Sequence, residues 1–299
     1  MMNKSRPDKE NSTSPLKIEF SVNDQLKIVG DAYGCDCNPA VLFAHGGGQT
    51  RHAWGKTASI LSQRGWYSIS VDLRGHGESD WHPIGDYRIE TFAQDLTIIA
   101  STFDQPPILI GASLGGVSGL IAESETDHSV FSVIILVDVA HRSENKGAER
   151  ILSFMYENME EGFANLQQAG EAIAAYLPNR SKSLDINSIG KNFRLDSDGR
   201  YRWHWDPKFL KHANDLRKEM IGSSSRYAAA ARSLQIPTLL VRGHMSDVLS
   251  NETAMEFLEL VPHAKFSDVQ GGGHMIAGDR NDLFSDAIIC FLESVKDTI

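Results

Sequence analysis

Cysteine is scarce, with three in 299 residues. That is too few for a disulfide framework, and no His/Cys cluster has the spacing of a structural zinc site. Cys35 and Cys37, in the turn-like stretch YGCDCNP, read as a surface pair, and Cys290, in an apolar helical stretch, as a core residue. Long apolar runs are missing too. VIILV at 133–137 is typical, far below the roughly 18 residues of a membrane-crossing helix. Basic charge is in deficit, 29 Lys and Arg against 39 Asp and Glu for a net charge of -10. A balance of that sign repels polyanions, so no nucleic acid and no membrane is expected as a partner. The opening MMNKSRPDKENSTSP lacks the apolar segment of a secretory signal. A cytoplasmic location is therefore expected, with residues 1–14 as a disordered tail.

What is present is the balance of a globular protein with a full core: 41% hydrophobic and 23% charged residues. Two extended segments, LKIEFSV and LKIVGDAYG, are joined at Asn23-Asp24 as a hairpin. Short apolar runs (AVLFA, YSISVDL, PILIGA, FSVIILVDV) then alternate with stretches of helical periodicity (TRHAWGKTASILSQRG, IETFAQDLTIIASTF, LGGVSGLIAES). That alternation predicts parallel strands joined by right-handed crossovers and covered by helices on both faces, a doubly wound α/β sheet. The rhythm breaks at His141 and resumes at IPTLLVRG, leaving about ninety residues of charged, amphipathic helical segments with no convincing strand. The division expected is a core of 15–140 and 234–299 with a helical cap, 141–233, inserted over the sheet edge, where open α/β sheets bind ligands.

GASLG, residues 111–115, is a weak pattern alone, but a strand precedes it and a helix follows. In a sharp strand-to-helix turn the serine is held exposed, which makes Ser113 the candidate nucleophile. A serine hydroxyl needs a base within hydrogen-bond reach and a third group to orient that base. His274, in VQGGGHM after the last strand, suits the base. Two aspartates lie at strand ends: Asp138 in LVDVAH and Asp247 in LLVRGHMSDVLS. Asp247 sits in a polar loop free to turn toward His274, whereas Asp138 is embedded between Val137 and Val139. The expectation is therefore Asp247 as the acid, with Asp138 lining the pocket or holding the cap. An oxyanion needs preorganised donors, each worth about 3 to 4 kcal/mol. The backbone N–H of Leu114 and that of Gly47, in the HGGG loop after AVLFA, are the candidates, with Gly46 and Gly48 as side-chain-free neighbours of the substrate.

HGGG, DLRGHGESD at 72–80, GASLGG, SDVLS and GGGHM, in that order from about residue 15 onward, together resemble the α/β-hydrolase superfamily. The resemblance implies an eight-stranded, mostly parallel sheet with the cap after the sixth strand. It assigns Ser113, His274 and Asp247 as nucleophile, base and acid. It also implies that His76 packs within a structural loop and that His45 shapes the oxyanion loop. A serine in the elbow implies hydrolysis of a small-molecule ester, with C–C bond (meta-cleavage-product) hydrolysis or lactone hydrolysis as the alternatives and a non-catalytic binding protein as a further one. No metal or organic cofactor is called for, and a homodimer is left open. HGGGQTRHAW is similar to bacterial hydrolases that include monoalkyl phthalate hydrolases. His141 and Arg142, entering the cap from the catalytic edge, are expected to meet substrate, Arg142 by pairing with the free carboxylate of a dicarboxylic monoester. Phe154, Met155, Met159, Phe163 and Trp203 line an apolar pocket or form the cap's core.

Overall fold

A computed structural model describes residues 14–22, 26–157, 159–176, 190–221, 225–274 and 281–296. The Asn23-Asp24 turn and nearly all of the expected N-terminal tail lie outside them. The central sheet contains β1 (Leu16–Ser21), β2 (Lys27–Tyr33), β3 (Ala40–Ala44), β4 (Tyr67–Val71), β5 (Ile108–Ala112), β6 (Val133–Val137), β9 (Thr238–Gly243) and β10 (Lys265–Val269), in the order β1-β2-β4-β3-β5-β6-β9-β10. β1 and β2 pair antiparallel, as do β2 and β4, and every later pair is parallel.

The period-2 alternation of side chains explains why the central strands read as unbroken apolar runs: both faces are covered. Val41, Phe43, Ile108, Ile110, Val133 and Ile135 point to one face, where α1 (Gly55–Ser62) and α9 (Ser285–Val295) supply Ala58, Leu61, Ile288 and Leu292. Leu42, Leu109, Ile134 and Leu136 point to the other, beneath α2 (Ile89–Ala100), α3 (Leu114–Ser124) and α8 (Asn251–Leu260). Each fully buried aliphatic side chain contributes about 1.5–3 kcal/mol. Among the described residues no helix is long and apolar enough to cross a membrane.

Between β6 and β9 lie α4 (Asn145–Tyr156), α5 (Leu166–Tyr176), α6 (Phe209–Ile221) and α7 (Ser225–Ser233), together with a short antiparallel pair, β7 (Phe193–Leu195) and β8 (Tyr201–Trp203). That hairpin departs from the all-helical expectation. Its strands are three residues each, too brief to show an alternation, and Asp196-Ser197-Asp198-Gly199 makes its turn. Trp203 stacks on Trp205 at 4.7 Å and on Phe193 at 4.5 Å, and meets Phe154 and Phe163 edge-on. Phe154, Phe163 and Trp203 thus form the core of the inserted segment.

Two cysteine expectations need adjustment. Cys290 is exposed, because it falls on the outer face of α9. Cys35 and Cys37 lie on the surface, as the sequence suggests, and are joined by a disulfide.

Candidate active site

β5 and β6 end level with each other: Ala112 pairs with Val137, and Val137 with Val241 of β9. The residues that follow, Ser113 and Asp138, continue the ladder, Ser113 N–H donating to Val137 O at 3.1 Å and Asp138 N–H to Val241 O at 2.7 Å. Both then leave the sheet with positive φ, 44° and 53°, the only non-glycine residues to do so among those described. Left-handed backbone costs a non-glycine residue of order 1–3 kcal/mol and collects at functional sites. Here it throws two polar side chains off the carboxyl edge of adjacent strands.

The elbow at Ser113 depends on the glycines around it. A Cβ on Gly111 would stand 2.6 Å from Gly116 Cα, and one on Gly115 2.5 Å from Ala44 O. Without side chains at these positions α3 starts directly over the strand ends, and Leu114 lines the pocket.

His274 Nδ1 lies 2.7 Å from Asp138 Oδ2, both side chains almost fully buried. A carboxylate only accepts, so Nδ1 carries a proton in this contact. Asp138 is itself held by Gly243 N–H (3.0 Å) and the Ser246 hydroxyl (2.7 Å). The partner of His274 is thus Asp138, where Asp247 was expected. Asp247 is 37% exposed and pairs with Arg150 of α4 at 3.0 Å. Adjacency of β6 and β9 is what decides: it sets Asp138 beside the end of β9, and the member of SDVLS that meets Asp138 is Ser246.

The HGGG loop, residues 45–48, is sorted by its hydrogen bonds. Gly46 N–H donates to Gln49 Oε1 (3.0 Å) and Gly48 N–H to His76 Nε2 (3.1 Å). Gly47 N–H and Leu114 N–H have no partner among the described residues, and both residues line the pocket that holds Ser113 and His274. Gly46 and Gly48 do not line it. Gly48 is instead covered by Met155 and Trp205, whereas a Cβ on Gly46 would stand 3.4 Å from Ser113 Cβ.

Three buried histidines brace this loop. His45 accepts from Leu73 N–H at Nε2 (3.0 Å) and donates from Nδ1 to Gly46 O (2.8 Å). His76 donates from Nδ1 to Arg74 O (3.0 Å). His204, from the inserted segment, accepts from Gly77 N–H (2.7 Å) and donates from Nε2 to Gly48 O (3.1 Å). Each makes one accepting and one donating bond, which a neutral ring alone can do, and burial pushes each pKa down to about 3. The sequence reading missed His204 and Asp206. Asp206 accepts from Tyr87 OH (2.7 Å) and from Lys208 N–H (2.9 Å), opening α6. The signal available was Asp-Pro ahead of a helical period.

The remaining expected contacts fall outside the pocket. His141 is buried against Phe257, its Nε2 3.5 Å from Glu256. Arg142 makes a two-pronged ion pair with the same Glu256 (2.7 and 2.9 Å). Both serve the junction with α8. The cavity, of about 110 Å³, is walled by α4 through Ile151, Leu152 and Met155, and by α6 through Phe209, Ala213 and Leu216.

A serine in a strained strand-to-helix elbow, a carboxylate-oriented imidazole and two free amides around one apolar cavity define a hydrolase-type site on a doubly wound sheet. The alpha/beta hydrolase fold model matches residues 39–280, and the chain belongs to that family. It is 26% identical over 268 residues to an esterase of Mycobacterium tuberculosis, covering 87% of this chain and 83% of that one. To a 3-hydroxybutyrate-oligomer hydrolase of Cupriavidus necator it is 28% identical over 254 residues, 81% and 85% of the two chains. Among solved structures, E-2-(acetamidomethylene)succinate hydrolase superposes with a TM-score of 0.76 at 22% identity, over 93% of this chain and 100% of that one, a likeness of fold.

Proposed function

We propose that the protein is a serine carboxylesterase using Ser113, His274 and Asp138. The observation that carries this reading is the 2.7 Å contact of His274 Nδ1 with Asp138, made one strand away from the elbow serine and opening on the same cavity. The esterase and hydrolase relatives support it.

In the proposed cycle the Ser113 hydroxyl attacks the ester carbonyl carbon while its proton passes to His274 Nε2. The negative charge on the carbonyl oxygen is met by the N–H groups of Leu114 and Gly47. Asp138 keeps the ring in the required tautomer and stabilises the imidazolium. The tetrahedral intermediate then collapses, the alcohol leaving with the proton from His274. A water molecule, deprotonated by the same ring, attacks the acyl-enzyme and frees the acid. The inserted segment acts as a cap, since α4 and α6 supply most of the cavity wall.

Turnover of p-nitrophenyl butyrate by wild type and Ser113→Ala tests the reading, with circular dichroism to verify folding. Loss of turnover to background in a folded variant is expected; unchanged turnover would overturn the assignment. Lactones and ring-fission dienones assayed alongside separate ester hydrolysis from lactone and C–C hydrolysis.

A further inference from the structure

The cavity wall is apolar apart from the reacting groups, with two exceptions, Ser143 and Arg217. They sit together. Ser143 N–H donates to Met220 O at 3.3 Å, and two residues on, the side chain of Asn145 accepts from Arg217. The segment leaving β6 thus runs along the last turns of α6. Ser143 Oγ has no partner among the described residues.

Arg217 differs from the other arginines of this region. Arg142 is paired with Glu256 and Arg150 with Asp247. Arg217 bonds only to the amide oxygens of Asn214 and Asn145, and no carboxylate lies within ion-pair distance of it among the described residues. Amide oxygens orient a guanidinium without neutralising it. A half-buried cation held this way beside apolar wall is a prepared site for an anion, and a guanidinium fits a carboxylate through two parallel hydrogen bonds.

Its position fixes where on the substrate that anion must lie. Phe209, at the start of α6, packs over the oxyanion loop, 3.2 Å from where a Gly47 Cβ would be. Arg217 follows eight residues later, about 12 Å along the helix axis at 1.5 Å per residue. The reacting carbonyl and the guanidinium therefore occupy opposite ends of the cavity, with Ala213, Leu216, Ile151 and Leu152 between them.

We infer that Arg217, with the Ser143 hydroxyl, is a carboxylate-binding subsite, and that the substrate is a monoester of a dicarboxylic acid whose free carboxylate and ester carbonyl are separated by an apolar spacer. The inference rests on the esterase reading above and names the substrate class of the same site. Arg217 selects the substrate and takes no part in bond breaking.

The test compares p-nitrophenyl hydrogen suberate with its methyl-capped neutral counterpart, following nitrophenol release by wild type, Arg217→Gln and Arg217→Lys. Wild type is expected to favour the acid at least tenfold in kcat/KM, chiefly through KM. Arg217→Gln is expected to bring the ratio to one or below, and Arg217→Lys to recover part of it. A wild-type ratio near one, or a preference that survives in Arg217→Gln, would overturn the subsite. A separate calorimetric arm uses Ser113→Ala with monomethyl and dimethyl suberate, so the subsite is read without turnover. Tighter binding of the acid, lost in the Ser113→Ala, Arg217→Gln double variant, supports the subsite; equal binding of the two esters overturns it. If no ester is turned over, the esterase reading fails and the calorimetric arm still decides the subsite.

Discussion

β6 and β9 lie side by side, and each carries an aspartate past its carboxyl end. Asp138 follows its strand immediately, at positive φ, with its side chain 4% exposed and three hydrogen-bond donors around it. Asp247 stands four residues beyond Gly243, 37% exposed, with an arginine of α4 as its partner. The difference shows what makes a carboxylate able to orient a base. Freedom to turn in a loop counts for little; being held rigidly and desolvated at the strand terminus counts for much. Asp247 belongs instead to the seam between sheet and insertion, where a Cβ on Gly147 would be 2.1 Å from its carbonyl oxygen.

The largest effect that could break this comparison is expected from Asp138→Asn. The amide cannot hold His274 in the same tautomer, and kcat should fall by roughly 10⁴-fold. Steady-state kinetics on a p-nitrophenyl ester checks it.

Gly147→Ala acts on the other side. The added methyl group would push α4 off the Asp247 carbonyl, an overpacking cost of about 1–3 kcal/mol, read as a lower denaturation midpoint. Because Ile151, Leu152 and Met155 move with the helix, KM should rise more than kcat falls.

Ser246→Ala removes one of the bonds that fix Asp138, and a loss of roughly tenfold in kcat is expected, since a hydrogen bond to a charged group contributes about 1.5–3 kcal/mol. Asp247→Asn, one residue away, should change kcat less than threefold. It gives up only an ion pair at the surface, worth about 0–1 kcal/mol.

The histidine brace gives a pH dependence of stability. His45, His76 and His204 are held neutral in the fold, with pKa values near 3, whereas in the unfolded chain they take up protons below about 6.5. The unfolded state therefore binds more protons, and stability, complete above that pH, is lost as pH falls toward the folded values. Each ring contributes a slope of up to about 1.4 kcal/mol per pH unit. Chemical denaturation between pH 6.0 and 4.5 should show this slope, and His204→Gln should reduce it by up to about 1.4 kcal/mol per pH unit; a flat profile in wild type would contradict the neutral brace.

The sheet was legible because its strands are buried on both faces. Runs such as VIILV can only be central strands when amphipathic helices separate them, and the placement of Ser113 and His274 beyond strand ends could be read in the same way. The aspartate that meets His274 was not legible, because the choice depends on strand order and on one backbone angle. β9 returns beside β6 after about a hundred residues, and nothing in LVDVAH announces the positive φ of Asp138 beyond an aspartate directly after a strand. Within the insertion, helical periodicity placed α4 and α6 but not their azimuth. The sequence therefore pointed to Arg142 at the strand exit, whereas the pocket arginine is Arg217, eight residues into α6.

The most direct test of the central claim is the proton resonance of the His274 Nδ1–H, which moves far downfield when the ring donates to a buried carboxylate. One-dimensional proton NMR of wild type, Asp138→Asn and Asp247→Asn reads it without any substrate. The resonance is expected in wild type and Asp247→Asn and absent in Asp138→Asn; its loss in Asp247→Asn with retention in Asp138→Asn would contradict the assignment of Asp138 as the partner of His274.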